Sequence, residues 1–215
     1  MLLIYLIGQL TVNAGAAPSP VRIAEKVQAV YAKAGDISAT FEHQHFDSLR
    51  GQTRSEKGLL WAKKDGRIRW SYREPVRKDF VYDGDKAFFY EPENAQVTVI
   101  ENFHESALAG AVGFLVGRGR FDKMFNVQNC AKDCDVDDQS YTIVLTPKKP
   151  ISGVERIHLK VDRNSYRVVS STLFDPLGNR TRYIFTDLIF GKTIADKKFA
   201  FKIPNGVQVM RHSGN

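Results

Sequence analysis

The amino-acid sequence predicts a mainly β (α+β) domain, in which a single curved antiparallel sheet has its apolar face covered by two short helices. After Gly35, apolar and polar residues alternate with a period of two, which is typical of strands with one buried face. Turn-forming residues such as Asp65-Gly66 separate these runs. Only segments 20–34 and 103–121 have helical spacing instead.

Residues 1–17 have the pattern of a secretory signal peptide. The segment has no charged side chain, and its apolar run is followed by Ala14-Gly15-Ala16, which fits a small-residue cleavage site. The apolar run is too short and too interrupted for a membrane-spanning helix. A buried N-terminal helix is the alternative interpretation. We expect a signal peptide over 1–17 and one exported domain over 18–215.

The segment 20–34 is predicted to form an amphipathic helix. Ser19 is a suitable N-cap, Pro20 suits the first helical position, and Gly35 ends the apolar pattern. Apolar residues recur between them at helical spacing, so the helix covers an apolar surface.

The strands follow in meander order, and we expect ten or eleven of them. Each has an apolar face and a polar face, so the sheet is predicted to have one buried side and one solvated side. The clearest apolar positions are Ile37, Ala39, Phe41, Ile68, Trp70, Tyr72, Ile157, Leu159 and Val161.

The second predicted helix, within 103–121, interrupts the strands. Four glycines lie in this segment, and each costs roughly 1 kcal/mol relative to alanine inside a helix. We expect a short and weakly stable helix across the apolar opening of the sheet.

Catalytic motifs are missing from the sequence, so we expect neither an enzyme nor a cofactor. No nucleophile elbow, phosphate-binding glycine loop or zinc-protease motif occurs.

The net charge of +7 comes from scattered lysines and arginines, which is typical of a solvated sheet face and not of a nucleic-acid site. His43 and His45 alternate on one strand without an evident third metal ligand, and His158 is expected at the surface. The aspartates between 133 and 138 suggest a solvated acidic loop.

Cys130 and Cys134 are the two cysteines of the chain. In an oxidising compartment they are expected to form a disulfide that closes a small loop. Free thiols and half of a zinc site are the alternatives, although no second Cys or His pair lies nearby.

The order of short motifs along the chain resembles the LolA family of outer-membrane lipoprotein carriers. Gly58-Leu59-Leu60-Trp61 is followed by Ile68-Arg69-Trp70-Ser71-Tyr72, and later by Phe114-Leu115-Val116-Gly117-Arg118-Gly119. The closing stretch Phe199-Ala200-Phe201-Lys202-Ile203-Pro204-Asn205-Gly206-Val207 completes the similarity.

This resemblance implies an incomplete β-barrel with a helical lid over an apolar cavity. It also implies a monomeric periplasmic carrier that receives acylated lipoproteins from an inner-membrane ABC transporter. The carrier would deliver them to the outer membrane, to an acceptor lipoprotein where one exists. A related half-barrel that binds lipid, or that senses envelope stress, is the alternative.

The resemblance further implies which residues contact the ligand. Lys64 corresponds to the family's arginine that ties the lid to the barrel, and Ile68 corresponds to an aromatic residue near the barrel mouth. For Phe41 and Trp70, ordinary core packing is the alternative role. The complete set of expected ligand-binding residues is Phe41, Leu60, Lys64, Ile68, Trp70, Phe89, Leu108, Val112 and Leu115.

Overall fold

The computed structural model describes residues 17–103 and 121–213, which form one twelve-stranded sheet with two α-helices. The proposed signal peptide therefore lies almost wholly outside the described residues, and so does most of the second predicted helix. The helices are α1 (Pro20–Lys33) and α2 (Phe121–Met124). The strands are β1 (Ile37–Asp47), β2 (Gln52–Ala62), β3 (Ile68–Glu74), β4 (Lys78–Tyr82), β5 (Ala87–Glu91), β6 (Gln96–Glu101), β7 (Phe125–Asn129), β8 (Ser140–Pro147), β9 (Arg156–Asp162), β10 (Val168–Phe174), β11 (Arg180–Phe190) and β12 (Gln208–Ser213).

The strand order is β12-β6-β5-β4-β3-β2-β1-β11-β10-β9-β8-β7. Two antiparallel meanders, β1–β6 and β7–β11, meet where β1 pairs with β11. The prediction of a single meander is therefore wrong at this seam, and twelve strands replace the ten or eleven expected. The two end strands, β7 and β12, do not pair with each other, so the curved sheet is not closed into a barrel.

The last strand enters the sheet in a way that the sequence did not predict. Residues 191–207 cross to the far edge, and on the way the backbone carbonyl of Lys198 accepts a hydrogen bond from Arg69. Phe199 is completely buried, and Phe201 packs on Phe88 with ring centroids 5.1 Å apart. Strand β12 then pairs in parallel with β6, whereas all the other pairs are antiparallel. This crossing is needed because β11 ends beside β1, in the middle of the sheet.

Helix α1 confirms the prediction over 20–34 to within one residue. The Ser19 side chain accepts a hydrogen bond from the backbone N–H of Arg22, which satisfies one free donor of the first turn. The buried side of α1 packs in the same core cluster as Phe41 and Leu60, and the helix contacts β7 and β8. We call this side of the sheet the inner face.

Candidate ligand-binding face

The inner face is built from side chains that alternate along paired strands. Phe41 lies opposite Phe185, and Leu60 lies opposite Trp70, so a row of large apolar groups crosses several strands. Phe41 is 1% exposed and Leu60 is fully buried. This placement follows directly from the period of two, because residues two apart on a strand point to the same side.

The aromatic side chains at the centre of this face pack edge to face. The Phe41 ring lies 4.9 Å from both Trp70 and Tyr72, with steep interplanar angles. Gly58 of β2 makes this packing possible. A Cβ atom added to it would lie 2.7 Å from Cζ of Phe41 and would also clash with the backbone oxygen of Ser71.

Ile68 and Phe89 extend the apolar surface along the first meander. Ile68 begins β3 and is buried against the common core, opposite Ala62 and Tyr82. Phe89 is half-buried and lies opposite Phe80, which in turn lies opposite Trp70. Five of the residues predicted from the sequence thus share the inner face: Phe41, Leu60, Ile68, Trp70 and Phe89.

The remaining predicted residues belong to the lid and its latch. Leu108, Val112 and Leu115 lie outside the described residues. Lys64 is exposed, and its backbone N–H donates to a carboxylate oxygen of Asp36 at 3.1 Å. The other oxygen of Asp36 accepts from the backbone N–H of Ile194, so this aspartate joins the first meander to the crossing segment.

Polar groups meet the apolar surface at one end of the inner face, and the sequence analysis did not identify them as a site. His43 Nδ1 lies 3.2 Å from one carboxylate oxygen of Glu56, and the other oxygen accepts from Lys78 Nζ at 2.6 Å. Burial holds the pKa of His43 below its ordinary value, although Glu56 opposes this shift. Burial also raises the pKa of Tyr72 and of Tyr183. The sequence shows that His43 and His45 alternate on one strand. It does not show that Glu56 and Lys78 lie beside His43, because these contacts form between strands.

The outer face has a loop that is fastened by a disulfide between Cys130 and Cys134, whose Cα atoms are 5.8 Å apart. Asp135 of this loop pairs with Lys160 and with Arg182. Asp137 also accepts a hydrogen bond from Lys160, which lowers its pKa to about 2. Asp133, which pairs with Arg156, Asp135 and Asp137 are thus exposed but ion-paired.

His158 lies beneath the disulfide loop and not at the surface as predicted, since it is only 6% exposed. Its Nδ1 is 3.8 Å from Sγ of Cys130, and its ring packs on Phe174 at 4.5 Å. A cavity of about 250 Å³ is lined by residues of this loop and of β1, β2 and β8–β11. The prediction failed because a polar strand face becomes buried when a distant loop folds over it.

Residues 17–103 and 121–213, the part of the chain that the structure describes, bear on metal binding through their side chains and on membrane spanning through their helices. No group of three or more potential metal ligands occurs among these residues. None of the helices in the same two ranges has both the length and the hydropathy to cross a membrane.

Relatives share most of the length of the chain. The family model described as outer membrane lipoprotein carrier protein LolA matches residues 32–202. The chain is 27% identical over 197 residues to an outer-membrane lipoprotein carrier protein from Chromohalobacter salexigens, covering 89% of this chain and 88% of that protein. It is 30% identical over 177 residues to one from Hahella chejuensis, covering 79% of each.

The fold is also shared with a solved structure of an uncharacterized conserved protein from Thermus thermophilus. The TM-score is 0.55 at 10% sequence identity, over 89% of this chain and 98% of that one. This likeness concerns the fold alone, whereas the family model spans most of the sequence. The chain belongs to the LolA family of outer membrane lipoprotein carrier proteins.

Proposed function

We propose that this protein is a periplasmic carrier that binds the acyl chains of lipoproteins on its inner face. It moves them from an inner-membrane ABC transporter to the outer membrane. The observation that carries this proposal is the extended apolar inner face of an open sheet, in a chain of the LolA family. The curated relatives named above are outer-membrane lipoprotein carrier proteins, which supports the same cargo for this chain.

A protein carrier is needed because acyl chains are insoluble. Burying one methylene stabilises by about 0.8 kcal/mol, so a long acyl chain in water costs on the order of ten kcal/mol. An apolar surface that can be covered and uncovered lowers this cost during transit. The process involves no covalent chemistry, and nothing in it calls for a cofactor.

The proposed binding surface has a wall and a lid. The wall consists of Phe41, Leu60, Ile68, Trp70 and Phe89, and the lid contributes Leu108, Val112 and Leu115. Lys64 acts as the latch, because its exposed ammonium group lies in the turn between β2 and β3. Lysine offers a point charge where arginine would offer a planar fork, so this latch holds the lid less tightly.

The proposed route begins with export through a signal peptide over 1–17. The carrier then acts as a monomer between two membranes. Its partners are acylated lipoproteins, the lipoprotein-releasing transporter and, where present, an acceptor lipoprotein of the outer membrane.

Titration of the mature protein with a fluorescent dodecanoyl probe tests the binding function. Saturable binding is expected, and Phe89→Gln should weaken it about fivefold or more, since a polar amide replaces an apolar contact. Phe89 is half-buried, so the sheet should tolerate this change. Leu49→Gln is the matched control, because Leu49 is 93% exposed at the turn after β1. A wild-type protein without saturable binding would overturn the proposal.

A further inference from the structure

The inner face changes from apolar to polar across five neighbouring strands, β4, β3, β2, β1 and β11. On β1 and β11, Phe41 and Phe185 lie opposite each other, and two residues further along His43 lies opposite Tyr183. On β3 and β4, Trp70 is paired with Phe80, and Tyr72 is paired with Lys78. Because residues two apart share a face, these pairs form a polar row beside an apolar row. The row is stepped by one pair, since Tyr72 is level with Phe41 through Gly58 and His43 lies one pair further along.

Contacts join the polar row into one cluster, which we call the polar row cluster: His43, Glu56, Tyr72, Lys78 and Tyr183. The imidazole of His43 stacks on the Tyr183 ring at 4.5 Å, and the Lys78 ammonium lies 4.4 Å from the centre of the Tyr72 ring. The side chains of His43, Glu56 and Lys78 are only 16–22% exposed. The cluster is thus part of the inner face.

His43 has one ring nitrogen without a partner. Its Nδ1 faces the carboxylate of Glu56, which can only accept, so Nδ1 carries the proton in the neutral ring. Its Nε2 is then a bare acceptor, and it is buried without a hydrogen-bond partner in the part of the chain that the structure describes. The Tyr72 hydroxyl hydrogen-bonds to Tyr183 and lies 3.4 Å from Nδ1 of His43, so it does not serve Nε2. Leaving a buried acceptor unpaired is unfavourable, so a ligand that brings a donor gains affinity.

We propose that the polar row cluster binds the linkage group of the acyl cargo and selects an amide over an ester. The apolar tail would lie on Phe41 and Trp70, while the amide N–H would donate to Nε2 of His43. An ester has no N–H and leaves this acceptor unpaired. The proposal rests on the proposed function, because it names the chemical class of the cargo that the same inner face takes.

The preference should depend on the protonation of His43. The groups that act on it are Glu56 from β2, Lys78 from β4 and His45 from its own strand, and the hydroxyls of Tyr72 and Tyr183 lie beside it. Burial holds the pKa of His43 below its ordinary value, so the ring is neutral in mildly alkaline buffer and takes up a proton only as the pH falls through this lowered pKa. Protonated Nε2–H can donate to the carbonyl of either linkage, so an ester no longer leaves His43 without a partner and the preference for the amide decreases.

Isothermal titration with two matched probes tests this proposal. N-dodecanoyl-taurine and dodecanoyl isethionate share a chain and a sulfonate head, and they differ in having an amide or an ester linkage. At about pH 8 the amide probe should bind about three- to tenfold more tightly, and the ratio should fall as the pH is lowered through the pKa of His43. His43→Phe keeps an aromatic ring against Tyr183 but lacks the acceptor, so it should abolish the ratio at pH 8. His212→Phe, at an exposed histidine of β12, should retain it.

The outcomes separate the two proposals. Equal affinity of both probes for the wild-type protein at about pH 8 would overturn the linkage site and leave the carrier function standing. A ratio that survives in folded His43→Phe would also overturn it. If that variant does not fold, the pH dependence of the wild-type ratio decides alone. Failure of both probes to bind would overturn the carrier function itself.

Discussion

At the residue scale, Gly58 determines how closely the aromatic side chains of the inner face can pack. Its neighbour on β1 is Phe41, and a Cβ atom at this position would lie 2.7 Å from the ring and would clash with the backbone of β3. Backbone cannot move aside as a flexible side chain can. We therefore expect Gly58→Ala to lower the free energy of unfolding by about 2–3 kcal/mol.

Urea denaturation followed by tryptophan fluorescence measures this loss, since Trp70 contacts the same ring. Ser55→Ala is the control, because Ser55 is exposed on the same strand. A free energy of unfolding equal to wild type in Gly58→Ala would show that β2 can move away from β3 without loss of stability.

At the element scale, the loop between β7 and β8 is held on the outer face by two independent means. The disulfide joins cysteines only four residues apart, and such a short closure stabilises by about 2 kcal/mol in the chain-entropy account. Asp135 and Asp137 add ion pairs to Lys160 and Arg182. These pairs are partly exposed and contribute little each.

We expect the double variant Cys130→Ser/Cys134→Ser to lose about 2 kcal/mol of unfolding free energy and to keep its fold. Thermal and urea unfolding measure the loss. Val136→Ala in the same loop is the control, since Val136 is 75% exposed. Stability equal to wild type in the double variant would mean that the ion pairs alone fasten the loop.

At the scale of the whole molecule, the two meanders share one core. The β1–β11 ladder runs from Ile37 to Phe46, and Leu60 of the first meander belongs to the same buried cluster as Leu159 of the second. Neither meander can bury its apolar face without the other, so we expect them to unfold together.

Native-state hydrogen exchange can test this cooperativity. Slowly exchanging amides of β2 and β3 should report the same opening free energy as those of β8 and β9. Both tryptophans, Trp61 and Trp70, lie in the first meander, so fluorescence reports its unfolding. The free energy of unfolding from the urea transition should therefore equal the opening free energy of the slowly exchanging amides. A clearly lower free energy for β8 and β9 would show that the second meander opens independently.

Local sequence patterns predict helix α1 and the apolar side of the clearest strands. The capping pattern at Ser19-Pro20 predicted α1 to within one residue, because helix initiation depends on a few adjacent side chains. The alternation with period two predicted that Phe41, Ile68 and Trp70 point to the apolar side of the sheet, because strand geometry fixes the side of each residue. The ligand contacts of these residues remain a prediction.

Which elements meet depends on long-range strand pairing in the folded chain. Local alternation carries no information on strand partners, so neither the β1–β11 seam nor the parallel entry of β12 followed from it. His43 and Tyr183 are distant in the chain, and Glu56 and Lys78 reach them only through the register of three further strands. The polar row cluster therefore exists only in the folded sheet, because long-range pairing brings these groups together.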